Sequence, residues 1–196
     1  TQLNTSKNIN ANIVGGVFAD DTFQKQNGVV GLIGLITDVK NIKPDGSVDP
    51  QAEFGMSICT GTLIEKNVVL TAAHCVVSMD PSMALVAIAV SFKLDLTREL
   101  NTFDFKDSIF ATGVAMNEDF LKDISASTPT DSASWNDIAL IKLAADAPTS
   151  FQFAKLATAA DLASIDTTVT PTLSGFGVAT AIVNKVVINP ITKQPE

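Results

Sequence analysis

The sequence predicts an all-β protein built as a barrel, and two observations carry that expectation. Short apolar runs recur at Val29–Ile36, Ala84–Phe92 and Ser108–Val114, with polar turns between them, which is the spacing of short strands in a barrel or sandwich. Two further runs, Thr62–Ile64 and Val68–Leu70, flank the polar patch Glu65-Lys66-Asn67 and read as strand, tight turn, strand.

Composition limits the rest. The 196 residues are enough for one sizeable domain or two small ones. Lys and Arg number 13 against 21 Asp and Glu, a net charge of −8. Binding to phosphate needs clustered cations, so nucleic acid is excluded as a partner, and so is electrostatic docking to an anionic membrane surface. No run reaches the roughly 18 apolar residues that span a bilayer. The chain opens on Thr1 without a signal-like apolar region, so any targeting segment is expected to have been removed already. The two cysteines, Cys59 and Cys75, are 16 positions apart. That spacing suits a disulfide and hence an oxidising compartment, and it also suits two reduced buried thiols.

In chain order, residues 1–12 are rich in Asn, Thr and Ser and read as a leader or pro-segment. Ile13-Val14-Gly15-Gly16 follows abruptly. Val29–Ile36, VVGLIGLI, reads as a buried strand that two glycines allow to curve. Thr37–Phe54 is a polar loop with a turn at Lys43-Pro44-Asp45-Gly46. Its acids Asp38, Asp45 and Asp49 follow no EF-hand spacing and read as a solvated acidic loop. After the hairpin a short helical turn is expected at Thr71–His74, with Thr71 as its cap. The run around Met116–Phe120 reads as a strand or strand end, and Leu121–Trp135 as a surface loop. Asp137 precedes the apolar run Ile138-Ala139-Leu140-Ile141 and would cap a buried strand. Residues 144–148, AADAP, form a connection. The Ala-rich Lys155–Leu162 reads as a turn or short helix, and Thr167–Phe176 as an edge strand carrying a Pro.

His74 is the sole histidine and sits directly before Cys75. Imidazole is the side chain best suited to take and return a proton near neutral pH. The run Cys59–Cys75, CTGTLIEKNVVLTAAHC, closely resembles the histidine region of the trypsin/chymotrypsin family of serine proteases. IVGG at Ile13 resembles that family's mature N-terminus. Asn136–Leu143, NDIALIKL, resembles its aspartate motif, and Ser174-Gly175-Phe176-Gly177 resembles its Gly-Trp-Gly turn with Phe for Trp. The resemblance implies a double antiparallel β-barrel, a secreted or periplasmic location, and a serine endopeptidase acting on protein or peptide substrates. It implies that His74 is general base and then general acid, that Asp137 orients it, and that the Thr71 hydroxyl bonds Asp137. It also implies a Cys59–Cys75 disulfide, worth about 3 kcal/mol for so short a loop. Ile13 becomes the latent activation terminus, whose freed ammonium would pair with a buried carboxylate. Asn12 precedes that bond, where the family most often has Arg or Lys.

The serine is the missing member. No Gly-Asp-Ser-Gly-Gly occurs, and no serine has the glycine context of an exposed nucleophile beside oxyanion donors. In the family the serine follows the aspartate. About 50 residues follow Leu143, too few to close a second six-stranded barrel. The expected division is therefore a leader over 1–12, a first barrel over 13–143, and a connection with a partial second barrel over 144–196. The resemblance then implies a precursor-like chain, nicked or truncated and inactive alone, and in the nicked case a C-terminal fragment of the same protein would carry the Ser. The other expectation is a catalytically inactive trypsin-fold binding protein. One histidine and two cysteines offer no zinc ligand set once the cysteines are bonded, and no cofactor is implied.

Overall fold

The structure is a computed structural model. It describes residues 19–125, 136–165, 168 and 172–176. Six strands close one antiparallel barrel: β1 (Val29–Asp38), β2 (Gly55–Glu65), β3 (Val68–Thr71), β4 (Met83–Ser91), β5 (Ile109–Met116) and β6 (Ala139–Leu143). Their order around the barrel is β1-β2-β3-β6-β5-β4. The all-β expectation therefore holds, and the expected hairpin is the β2–β3 pair, with Thr62 opposite Leu70.

Alternation builds the interior. In β6 Ala139, Ile141 and Leu143 are buried while Leu140 and Lys142 face outward, the period of two that a one-sided strand requires. Val30, Leu32, Leu63, Val69, Val90 and Ile141 form the centre of the core, each worth about 1.5–3 kcal/mol of burial. Register shifts between Leu35 and Ile36, Leu63 and Glu65, and Ala111 and Gly113 supply the bends that let six short strands close.

β1 is buried on both faces. Its outer side carries a second cluster of Val29, Ile33, Ala89 of β4, Leu96 and Phe176. That double burial explains its near-continuous apolar run in place of alternation.

Short helices decorate the barrel. α1 (Asp21–Gln26) is capped by Asp20, whose carboxylate accepts from the Phe23 N–H at 2.7 Å. It ends before Gly28, whose φ is +62°. A Cβ there would lie 2.7 Å from the Gln152 carbonyl oxygen, so backbone conformation and backbone approach both require glycine. After β6 the chain returns over this end of the barrel. The Ala147 N–H donates to the Lys66 carbonyl at 2.6 Å, Gln152 to Lys25 at 2.8 Å and Ala154 to Leu63 at 2.8 Å. Phe151 is buried and meets Phe92 edge to face, centroids 5.1 Å apart.

The loop between β1 and β2 is organised by its own acids. Asp38, Asp45 and Asp49 each accept from the backbone N–H two residues on, the Asx-turn arrangement. The expected turn is present, with the Gly46 N–H donating to the Lys43 carbonyl at 2.9 Å.

Two expectations need correction. β5 ends at Met116, and the run read as strand continues into α3 (Glu118–Ser125). Asn117 starts this helix by accepting from the Asp119 N–H at 2.9 Å. Two acids in the first turn favour its positive end, and Phe120 turns into the core. α3 also occupies the start of the segment read as a loop over Leu121–Trp135; residues 126–135 lie outside the described ones. α2 (Thr97–Thr102) lies between β4 and β5. Among the described residues after Leu143 the regular element is α4 (Ala159–Ala163), closed by a capping box between Thr158 and Asp161. It overlaps Lys155–Leu162, the Ala-rich patch expected to form a turn or short helix. The edge strand expected over Thr167–Phe176 is not formed by its described residues, 168 and 172–176, which run as turn and irregular chain; residues 1–12 and Ile13 lie outside the described ones.

Candidate active site

Pairing of β3 with β6 places Thr71 opposite Ala139. The three residues after Thr71 and the two before Ala139 therefore meet at one end of the barrel. His74 and Asp137, 63 positions apart in sequence, meet there twice. The His74 backbone N–H donates to Asp137 Oδ1 at 2.9 Å. The ring Nδ1 lies 2.7 Å from Asp137 Oδ2. An ionised carboxylate only accepts hydrogen bonds, so Nδ1 carries a proton, and in the neutral imidazole the lone pair lies on Nε2. The His74 side chain is 51% exposed and that of Asp137 25%, so the pair is anchored on the carboxylate side and open on the imidazole side.

Partial burial pushes the Asp137 carboxyl up. The His74 backbone N–H, the His74 ring and the Ala73 N–H together outweigh it and hold the carboxyl below the ordinary carboxylate value. The Ala73 donor carries no sequence signal, because any residue supplies a backbone N–H. A depressed folded value means that the stability from these bonds is complete above the ordinary value of about 3.9. It is lost as pH falls through the depressed one. Thermal unfolding followed downward from about pH 5 should lose stability more steeply in the wild type than in Asp137→Asn, which has no proton to gain. Equal slopes would show that Asp137 does not contribute this linkage.

The expected short helical turn is a single 3-10 turn over Ala73–Cys75, entered from Ala72 without a side-chain cap. Thr71 therefore does not cap it. Nor does Thr71 donate to Asp137. Its hydroxyl proton goes to the Thr60 carbonyl at 2.8 Å, because Thr71 is the last residue of β3 and its nearly buried side chain lies against β2.

Cys59 and Cys75 are joined, their Cα atoms 6.0 Å apart. The ligand atoms of Cys59, His74 and Cys75 lie within 4.8 Å of one another. Both sulfurs are committed to the disulfide and carry no thiolate charge, so one imidazole remains and the group does not make a metal centre. Among the described residues no helix is long and apolar enough to cross a membrane.

The trypsin family model matches residues 41–188, well over half of the chain and including both His74 and Asp137. The chain belongs to the trypsin family. Among solved structures this trypsin-family chain is similar to HL collagenase, with 21% identity and a TM-score of 0.45. The match covers 77% of this chain and 50% of the collagenase chain, so the trypsin-family chain spans about half the length of that relative. No curated protein matches it.

Proposed function

We propose that this chain is the part of a trypsin-like serine endopeptidase that bears the base and its orienting acid. The observation that carries the reading is the twofold His74–Asp137 contact. One carboxylate fixes both the backbone and the ring of a single imidazole, and it leaves Nε2 as the basic atom. In such a site Nε2 takes the proton of an attacking serine hydroxyl as its oxygen bonds the scissile carbonyl carbon. It then gives that proton to the leaving amine. Asp137 holds the tautomer and stabilises the imidazolium while it exists.

The serine comes from polypeptide outside these 196 residues, since none within them has the required glycine context. In this reading Ile13 is the activation terminus and the disulfide belongs to a secreted or periplasmic protein. The test is an active-serine fluorophosphonate probe with intact mass spectrometry. The 196-residue chain alone should take no probe and turn over no peptide ester. A longer polypeptide, or a second one co-purifying with it, should gain the probe mass and lose it on His74→Ala. Turnover by the isolated chain, lost on His74→Ala, would refute the placement of the serine. A full-length gene product that takes no probe would select the inactive binding protein.

A further inference from the structure

The Ser174-Gly175-Phe176 run lies far along the sequence from the site, yet it is docked one residue from the disulfide. Phe176 is buried on the outer face of β1, among Val29, Ile33, Ala89 and Leu96. Its N–H donates to Thr60 Oγ1 at 2.7 Å. A Cβ on Gly175 would lie 2.8 Å from that same oxygen, so the approach requires glycine there.

Thr60 also faces the site through its backbone. Its carbonyl accepts the Thr71 hydroxyl, and its neighbour Cys59 is bonded to Cys75. Between Thr71 and Cys75 lie Ala72, Ala73 and His74. The arc that bears His74 is therefore tied at both ends to one dipeptide, Cys59-Thr60. That dipeptide is held from the opposite side by Phe176. An arc fixed at both ends keeps its internal N–H groups aimed, and here two of them, Ala73 and His74, aim at Asp137.

We propose that Thr60 is a positioning residue for His74, and that the Ser174–Phe176 segment acts on the site through it. This deepens the protease reading and rests on it for its purpose, because the aim of the imidazole matters to a base. It predicts that docking of the segment after the first barrel and order at His74 are coupled.

The test uses amide hydrogen exchange and a ring titration by NMR on the full chain, where the sole histidine gives an unambiguous signal. Thr60→Val keeps the side-chain shape and removes the acceptor. It should lower protection of the Phe176 and His74 amides on the order of ten-fold and shift the His74 titration, with the Ile141 amide of β6, in the barrel interior away from Phe176, unchanged. Thr60→Ser should restore both. Gly175→Ala, which pushes the Phe176 N–H off Thr60, should reproduce the Val result from the other side. Loss of protection at Phe176 with His74 exchange and titration unchanged would overturn the proposal, as would a uniform loss that includes Ile141. A complete protein that takes no active-serine probe while this coupling is present would remove the protease reading and leave the coupling intact.

Discussion

On the protease reading proposed above, Asp137→Asn in the complete protein is expected to lower kcat about 10⁴-fold, the magnitude of the corresponding change in one trypsin-fold enzyme and not one derived from this geometry. The geometry supplies the reason. The His74 backbone N–H at 2.9 Å needs an acceptor, so the new amide keeps its oxygen on that side. Its NH₂ then faces Nδ1 at the position Oδ2 occupies now. Nδ1 must accept, the ring proton moves to Nε2, and the base is gone although nothing has moved. The barrel should remain folded, because Ile141 and Leu143, not Asp137, are the buried groups here. Substrate binding should change little, so the loss should fall on kcat with KM nearly constant. Steady-state kinetics with a peptide ester measures this, and a wild-type kcat in the variant would take Asp137 out of the mechanism.

Removing the disulfide by Cys59→Ser with Cys75→Ser is expected to cost about 3 kcal/mol in unfolding free energy. The crosslink spans 16 residues and closes the β2–β3 hairpin on itself. Its loss therefore returns conformational freedom to the unfolded chain at the segment that bears His74. Urea unfolding of the two proteins reads the difference as a lower midpoint, with a slope that rises as the uncrosslinked chain opens further on unfolding. A midpoint unchanged within error would mean that the β2–β3 pairing alone holds this segment. The stability loss is expected without any change in the core, because neither sulfur is needed to fill it beyond the partial packing of Cys59.

Much of this was legible in the sequence. The hairpin followed from two apolar runs around a polar turn, whereas the disulfide and the pairing of His74 with Asp137 followed from the resemblance of their short motifs to the trypsin/chymotrypsin family. Strand positions followed from alternation, as in Ala139–Leu143. What was not legible depends on contacts between distant segments. Thr71 carries a hydroxyl in the expected place, but its partner is decided by how β2 crosses β3. Met116–Phe120 has apolar residues only at its two ends, and the cap at Asn117 with Glu118 and Asp119 behind it makes the run a helix start. Thr60 carries no signal at all, because its role arises from Phe176, 116 positions away.

Barrel closure also dictates an order of assembly. β6 inserts between β3 and β5 and pairs with both. Until it arrives, each of those strands presents an open edge with unpaired backbone groups, a template for pairing with another chain. The β3–β6 seam joins residues some 70 positions apart in sequence, so its loop-closure cost is among the highest in the barrel. A chain emerging from the ribosome can form β1, β2, β3 and β4 early, and it stays vulnerable to aggregation until residue 143 is out. Asp137 sits two residues before the strand that completes the wall. The event that seals the protein against its neighbours is thus the one that delivers the carboxylate to the imidazole, and no half-closed form carries an oriented base.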